Sequence, residues 1–186
     1  KRITSEVCVH HLHFTADDYA TLGNKIKCNP AIKAKENKAA LWEALLDDRL
    51  DIIATDHAPH TIEEKSGDYL HAHAGLPLVQ HSLQLMLHYH RAGKITLEKV
   101  VEKMSHAPAK CFQIRDRGFI REGYFADLVL VDMNQPYTVS KENILSSYSP
   151  EDPSYMTVRV KGKEVGLTFM GSGHHMGTHR IGSSPT

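Results

Sequence analysis

The order of the predicted elements restricts the fold of this chain more than any other feature. Alternating and β-branched residues predict a strand around Ser5–Val9, apolar residues at helical spacing predict a helix over residues 36–49, and "LDIIAT" predicts a short buried strand. A strand, a helix and a second strand in this order imply two parallel strands joined by a right-handed crossover. Because two parallel strands cannot cover both faces of a sheet, this order predicts part of a larger α/β fold.

Three helical segments follow the second strand and its long loop, "DHAPHTIEEKSGDYLHAHAG". The first is expected to begin at Pro77 and to stop at Gly93, since proline favours a helix start and glycine a helix end. The second is "TLEKVVEKMS", in which Thr96 is the expected cap. The third is a helical turn or two in "APAKCFQI". These segments continue the α/β pattern of the first strands.

The pattern becomes β-rich beyond the helices. Two short β runs break at Glu122–Gly123, "ADLVLVDM" predicts a continuous apolar strand, and "MTVRVKGKEV" predicts a hairpin that turns at residues 161–163. The last 16 residues, "GSGHHMGTHRIGSSPT", have no hydrophobic periodicity and are rich in Gly, Ser and His. We interpret them as a disordered tail derived from a vector or tag.

Composition excludes several classes of function. Lys and Arg together number 22, as do Asp and Glu, which does not favour a nucleic-acid partner. No apolar run approaches the roughly 18 residues of a membrane span, and no secretory signal is visible. The three cysteines, Cys8, Cys28 and Cys111, are odd in number and widely spaced, which argues against a disulfide framework and favours a reducing compartment. We therefore expect a cytoplasmic protein without a nucleic-acid or membrane partner.

Polar side chains follow the buried run "DIIAT" directly. Asp56, His57 and His60 lie there, and ligands of parallel α/β folds bind beyond the C-terminal ends of strands. One oxygen of such an Asp can ligate Zn²⁺, while the other takes a proton from the attacking water and passes it to a leaving nitrogen. A loop carboxylate beside solvated histidines is the alternative, and the bare "TDH" favours that alternative.

Two other positions are candidates for ligand binding. The Asn29 amide can both donate to and accept from a planar polar ligand, and Gly75 allows a ligand to approach the backbone closely. Taken alone, Asn29 is better explained as a turn residue and Gly75 as part of a helix entry. On a strand, His11 and His13 would face one side and His10 the other, with the HxH spacing of many metal-binding pairs.

Taken together, the motifs resemble those of dihydroorotases, members of the amidohydrolase superfamily. The segments "EVCVHHLHF", "KCNPAIK", "ALWEALLDDRLDIIATDHAPHTIEEK", "AGLPLVQHSLQLML" and "RGFIREGYFADLVLVD" occur in the order seen in that family. The resemblance covers about residues 1–145 and is nearest to the class I bacterial or archaeal type. It implies the C-terminal part of a metal-dependent (β/α)8 barrel, followed by part of a small β-sandwich. Residues 1–117 would belong to the barrel, residues 118–170 to the sandwich, and residues 171–186 to the tail.

The resemblance also implies an activity and its residues. The family hydrolyses dihydroorotate to N-carbamoyl-aspartate, reversibly and with one or two Zn²⁺ ions, in pyrimidine synthesis. By resemblance, Asp56 is both a metal ligand and the catalytic base and acid. Asn29 and His60 resemble the substrate-binding residues, and Ala74 and Gly75 the backbone contacts to the substrate ring. A supporting role is assigned to His57.

The "HHL" segment resembles strand 7 of the family, where the histidines are not metal ligands. For this reason we interpret His10, His11 and His13 as packing and supporting residues rather than as a metal-binding HxH pair. The family's own HxH pair, its bridging lysine or aspartate, two further histidine ligands and a substrate-binding arginine lie upstream of anything present here. A single carboxylate cannot hold zinc, because such sites use three or four protein ligands.

The chain is therefore expected to be incomplete and inactive alone. It has 186 residues, whereas a whole barrel needs about 250. It also opens without Met in a strand-like run, as if other polypeptide preceded it. Two alternatives stay open: another cyclic-amide hydrolase, such as an allantoinase or hydantoinase, and a non-catalytic dihydroorotase-like chain that acts by association. The expected partner is the small-molecule substrate, and formation of a homo-oligomer is also left open.

Overall fold

The structure, a computed structural model, describes residues 3–140, 143–145 and 160–164, and gives only the backbone for residues 136–137 and 160–164. Within these residues the elements are β1 (Glu6–Cys8), α1 (Val9–His13), α2 (Tyr19–Leu22), α3 (Lys35–Leu46), β2 (Ile52–Ala54), α4 (Ser82–Arg91), α5 (Leu97–Val101), α6 (Ala107–Cys111), β3 (Val131–Tyr137) and β4 (Val160–Glu164). Short 3-10 turns cover Ala16–Asp18 and Gly23–Ile26, and a π-helical turn, Glu102–His106, joins α5 to α6.

Strands β1 and β2 run parallel, as the order of the elements predicts. Val7 pairs with Ile53 and Cys8 with Ala54, and α3 makes the crossover between the two strands. All three residues of β2 are buried, which confirms the short buried strand predicted from "LDIIAT". The C-terminal ends of both strands therefore lie at one edge of the sheet, where the candidate residues begin.

The hydrophobic core packs the crossover helix α3 against α1 and α4. Trp42 of α3 is buried and donates its indole N–H to the carbonyl of Leu12 at 2.9 Å. Its ring meets that of Tyr89 in α4 edge to face, with centroids 4.7 Å apart. A paired indole N–H lets this large apolar ring be buried without an unsatisfied donor. The same core contains Val7, Val9, Leu12, Phe14, Ile26, Cys28, Ile32, Leu45, Ile53, Leu76, Leu78, Leu85, Met86, Leu87, Ile95, Val100 and Met104.

The predicted strand around Ser5–Val9 is shorter than expected, and the histidines after it are helical. Residues 9–13 form a helical turn that the hydrogen bond from Phe14 N to the His10 carbonyl, 2.9 Å long, closes. Val9 and Leu12, three positions apart, are both buried, as helical spacing requires. The alternation of His10, His11 and His13 across a strand is thus wrong.

The helix predicted to begin at Pro77 begins at Ser82 instead. Hydrogen bonds from Leu78 N to the Leu76 carbonyl and from His81 N to the Leu78 carbonyl form turns before it. The predicted stop is confirmed, since α4 ends at Arg91 and Gly93 has a φ of 73°. The predicted cap of α5 is also confirmed, because the Thr96 side chain accepts the backbone N–H of Lys99.

The C-terminal β pattern is displaced from its prediction. The apolar strand begins only at Val131, and Leu128 and Leu130 before it are exposed. Glu122–Gly123 lies in a turn closed by Tyr124 N and the Arg121 carbonyl, without the predicted β runs. The hairpin turn at 161–163 is wrong, because residues 160–164 form one strand, β4, antiparallel to β3. Pairing with β3 keeps this glycine-containing run extended.

Two further expectations stand apart from this fold. The tail, residues 171–186, lies outside the described residues, and the division of the chain at residue 117 stays a prediction. None of the helices in the described part combines the length and apolar character that a membrane crossing requires.

Candidate functional site

Asp56 lies two residues beyond β2, with its side chain exposed. Its φ of 46° is in the left-handed region, which Asp tolerates better than most residues. Burial, followed by the charge of Asp56, raises the pKa of the Cys8 thiol to about 12. Burial also raises the pKa of Cys28 to about 11, with the Lys65 ammonium opposing the shift and Asp56 adding to it. The Asp56 carboxylate is therefore close to the end of β1 and to the loop that carries Cys28.

The structure brings His60, Ala74 and Gly75 together, as the resemblance implies. Nε2 of His60 is 3.2 Å from the Ala74 carbonyl oxygen. A Cβ added at Gly75 would lie 2.5 Å from the Ala58 carbonyl oxygen and 3.1 Å from Cδ2 of His60. Gly75 also has a φ of 146°, so both the backbone conformation and the lack of space require glycine.

The loop that leads to Asn29 contacts this group through Lys27, two residues before it. The Lys27 carbonyl accepts the backbone N–H of Gly75 at 2.9 Å, so the two loops meet just before Asn29. Asn29 itself is exposed, and its peptide bond to Pro30 is cis. Within the described residues its side chain makes no hydrogen bond to Asp56 or His60. The substrate-binding role of Asn29 therefore stays a prediction, and the residue is accessible to a ligand.

Two buried lysines hold these loops together. Nζ of Lys65 donates to the carbonyl oxygens of Lys27, His73 and Gly75, at 2.9, 3.0 and 2.8 Å. Nζ of Lys27 donates in turn to the carbonyl oxygens of Tyr69 and Ala72. Burial lowers the pKa of Lys65 to about 8, with the Cys28 charge opposing the shift and Lys27 adding to it.

Sequence reasoning missed both lysines. Each lies in a polar stretch, "NKIK" or "EEK", where a solvated side chain is the ordinary expectation. The repeated loop glycines and histidines nearby give no sign that three carbonyls converge on one ammonium group. Contacts between residues 8 to 45 positions apart decide the burial of these side chains.

His57 has a structural part in the site. Its Nδ1 accepts the backbone N–H of Val79 at 3.2 Å, so a neutral ring carries its proton on Nε2. Its backbone also pairs with Leu76 in a parallel bridge, and burial lowers the pKa of the ring. The supporting role assigned to His57 agrees with these contacts.

Two groups of side chains in the described part of the chain have the composition and proximity of metal ligands. One consists of His60, Glu64 and His73, and the other of Cys8, His10 and His11; in each, the ligand atoms lie within 4.8 Å of one another. Asp56 belongs to neither group. The first group lies in the loop of residues 57–76, where Nδ1 of His60 is 3.4 Å from a carboxylate oxygen of Glu64.

Comparisons with known proteins define the class. The model of the amidohydrolase family matches residues 2–171, and the chain belongs to the amidohydrolase family. Its fold is that of metal-dependent hydrolases of the TIM-barrel type. The structure of L-hydantoinase (dihydropyrimidinase) from Arthrobacter aurescens superimposes with a TM-score of 0.78 at 30% identity, covering 87% of this chain and 37% of the other.

Within that family the chain is dihydroorotase-like, which confirms the resemblance read from its motifs. It is 36% identical over 171 residues to the dihydroorotase of Endomicrobium trichonymphae, covering 91% of this chain and 40% of the relative. Against the dihydroorotase of Pyrococcus furiosus it is 36% identical over 165 residues, covering 88% and 37%. The chain therefore spans about two fifths of the length of these relatives.

Proposed function

We propose that this chain supplies the substrate-binding loops and the catalytic aspartate of a dihydroorotase. Such an enzyme would interconvert dihydroorotate and N-carbamoyl-aspartate in cytoplasmic pyrimidine synthesis, with zinc as its metal. The observation that carries the proposal is the meeting of His60 with Ala74 and Gly75 beside the strand that leads to Asp56. The resemblance assigns substrate contacts to those same loop residues.

Asp56 fits the role of a metal ligand and proton carrier. Its carboxylate is exposed beyond the C-terminal end of a parallel strand, where ligands of such folds bind. When bound there, zinc would polarise the amide carbonyl of the substrate as a Lewis acid. The carboxylate oxygen of Asp56 that does not hold the metal accepts a proton from the attacking water. It then delivers that proton to the ring nitrogen as the amide bond breaks.

His60 and its loop orient the substrate. Nε2 of the ring lies 3.2 Å from the Ala74 carbonyl oxygen and Nδ1 lies 3.4 Å from a Glu64 carboxylate oxygen, so both contacts fix the position of the ring in the loop. The missing side chain of Gly75 lets Ala58 and His60 pack directly against its backbone, which holds the loop in the position from which it would contact the substrate ring. The exposed amide of Asn29 can donate to and accept from the same ring.

We infer that the rest of the barrel comes from other polypeptide. In the described residues β1 pairs only with β2, so one edge of each strand has no partner there. Residues 1–117 would be the C-terminal strands and helices of the barrel, residues 118–170 part of the sandwich, and residues 171–186 the tail. The remaining metal ligands would lie on the missing strands, because Asp56 alone cannot hold zinc.

The decisive experiment uses the complete enzyme that contains this chain. Hydrolysis rates on dihydroorotate, allantoin and hydantoin are compared, and dihydroorotate is expected to react fastest. Asp56→Asn should lower its rate by about 1000-fold, because the amide cannot carry the proton. The exposed Asp17→Asn serves as the matched control. A faster reaction with allantoin or hydantoin would assign the chain to another group of cyclic-amide hydrolases.

A separate measurement tests whether this chain can catalyse the reaction without other polypeptide. The 186-residue chain alone, supplied with zinc, should not hydrolyse dihydroorotate. Turnover by this polypeptide without any other would contradict the inference that the remaining ligands come from elsewhere.

A non-catalytic role by association is the second candidate function. Large apolar side chains are exposed between residues 118 and 145, among them Ile120, Leu130 and Leu145, with exposed fractions of 88%, 72% and 70%. Such side chains favour contact with another polypeptide. A complete protein that elutes as an oligomer and hydrolyses none of the three substrates would support this candidate over the enzyme.

A further inference from the structure

A second group of side chains converges at the end of β1. It consists of residues other than those proposed for catalysis. Cys8 is the last residue of β1, and the helical turn α1 follows at once. This turn brings His10 and His11 together, with ring centroids 4.2 Å apart. One atom of each residue, the Cys8 sulfur and a nitrogen of each ring, lies within 4.8 Å of the other two.

The state of His10 is an independent observation that points to a ligand. Its side chain is 1% exposed, and neither Nδ1 nor Nε2 has a hydrogen-bond partner in the described part of the chain. Buried polar atoms nearly always have a partner, and leaving one without a partner is destabilising. A metal ion bound to one ring nitrogen would give that nitrogen a partner without adding another side chain.

His11 is already oriented for such a ligand. Its Nε2 lies 2.9 Å from the Pro30 carbonyl oxygen and donates its proton to it. Donation from one ring nitrogen to a carbonyl is the arrangement that fixes the tautomer of metal-binding histidines. The other nitrogen, Nδ1, is then free of a proton and available as a ligand.

We propose that Cys8, His10 and His11 bind a Zn²⁺ ion through one sulfur and two imidazole nitrogens. Thiolate and imidazole are the ligands that zinc prefers, and three protein ligands leave the fourth tetrahedral position to water. Bond lengths of about 2.0–2.3 Å place ligand atoms roughly 3.3–3.6 Å apart in a tetrahedron. Side-chain rotations that move the ligand atoms by about 1 Å would therefore bring all three within bonding distance of the ion.

Cobalt(II) tests the site directly, because a thiolate bound to Co²⁺ gives a charge-transfer band in the near ultraviolet. The 186-residue chain should develop this band with one equivalent of Co²⁺ and lose it when Zn²⁺ is added. Cys8→Ser should abolish the band. Cys111→Ser, the matched control, should retain it, since that half-buried thiol lies elsewhere, 3.1 Å from the Thr4 hydroxyl.

Replacing the histidines tests the other two ligands. His10→Asn and His11→Asn should each weaken Co²⁺ binding by about 100-fold or more, since each removes a ligand. The tail histidines, His174, His175 and His179, are present in every variant and cancel in the comparison. Near-ultraviolet circular dichroism of Trp42, the lone tryptophan, shows whether each variant keeps its fold.

The outcomes separate this site from the proposed enzymatic function. Asp56→Asn should leave the thiolate band unchanged, whatever it does to hydrolysis in the complete enzyme. A wild-type chain without the band, a band that persists in folded Cys8→Ser, or a band lost in folded Cys111→Ser would each overturn the zinc site. Should Cys8→Ser fail to fold, Cys8→Ala and the two histidine variants make the same test.

Discussion

The loop of residues 57–76 and the segment of residues 118–130 are both largely irregular, yet they are held in opposite ways. The first is held by two buried lysines, Lys65 within it and Lys27 outside it, whose ammonium groups donate to its backbone carbonyls. The second exposes large apolar side chains, among them Ile120 and Phe125, with exposed fractions of 88% and 59%. Its turns are local, such as the one closed by Tyr124 N and the Arg121 carbonyl.

This difference shows which region is stabilised by contacts within this chain and which region is not. Carbonyls that converge on a buried cation leave little freedom to the loop, because each loses water and gains a charged partner. Exposed apolar side chains instead gain stability only when another surface covers them. The loop of residues 57–76, which we propose binds the ligand, should therefore keep its structure in this chain alone. Changing an exposed apolar side chain of the 118–130 segment should alter the free energy of unfolding of this chain only slightly.

The largest effect is expected for Lys65→Met. The change removes the group that three carbonyls share, and we expect the free energy of unfolding to fall by about 4 kcal/mol. Denaturant unfolding measures it, with the exposed Lys33→Met as the control. A loss below about 1 kcal/mol would show that the loop does not depend on its buried cation.

Gly75→Ala should follow, at about 3 kcal/mol. The new Cβ would meet the Ala58 carbonyl oxygen at 2.5 Å in a backbone conformation that side chains rarely adopt. Gly67→Ala is the matched control, because Gly67 also has a positive φ but nothing within 4 Å of an added Cβ. The loss for Gly75→Ala should exceed that for Gly67→Ala, and equal losses would contradict the close approach.

Lowering the pH should destabilise the buried core next to the loop of residues 57–76 rather than the exposed segment of residues 118–130. Burial lowers the pKa of His81 from 6.5 to about 4, so the unfolded chain takes up a proton before the folded one as the pH falls. The contribution is present above pH 6.5 and is lost between pH 6.5 and about 4, by up to about 1.4 kcal/mol per pH unit.

The pH dependence of unfolding in wild type and His81→Asn measures this effect. The variant should lose less stability in acid, by roughly 2 kcal/mol at pH 5. An identical acid slope in wild type and His81→Asn would show that this histidine does not contribute.

The smallest effect is expected in the exposed segment. Leu130→Ser, at a side chain 72% exposed, should change the free energy of unfolding by less than about 0.5 kcal/mol in this chain. Leu85→Ala, at a side chain 1% exposed, should cost about 3 kcal/mol in the same measurement. A large loss for Leu130→Ser would mean that the segment is already covered, and the contrast between the two regions would fail.

Much of the fold could be predicted because its signals are local. The crossover helix α3, the buried β2 and the Thr96 cap follow from spacing, apolar runs and a side chain three residues from its partner. Parallel pairing follows from the order of the elements. The family could also be recognised from its motifs. The start of α4, the extended run at 160–164 and the exposure of Leu128 could not, since each depends on partners distant in sequence.

The same distinction between local and tertiary information applies to the candidate site. The sequence by itself determined that Asp56 follows the buried run of β2 and that a glycine stands at position 75. Only the tertiary structure decided that β1 ends at Cys8, that Lys65 is buried beneath the loop, that His10 turns inward, and that His60 meets Ala74. Residue identity sets the chemistry available at a position, but burial and contact depend on what the rest of the chain brings against it.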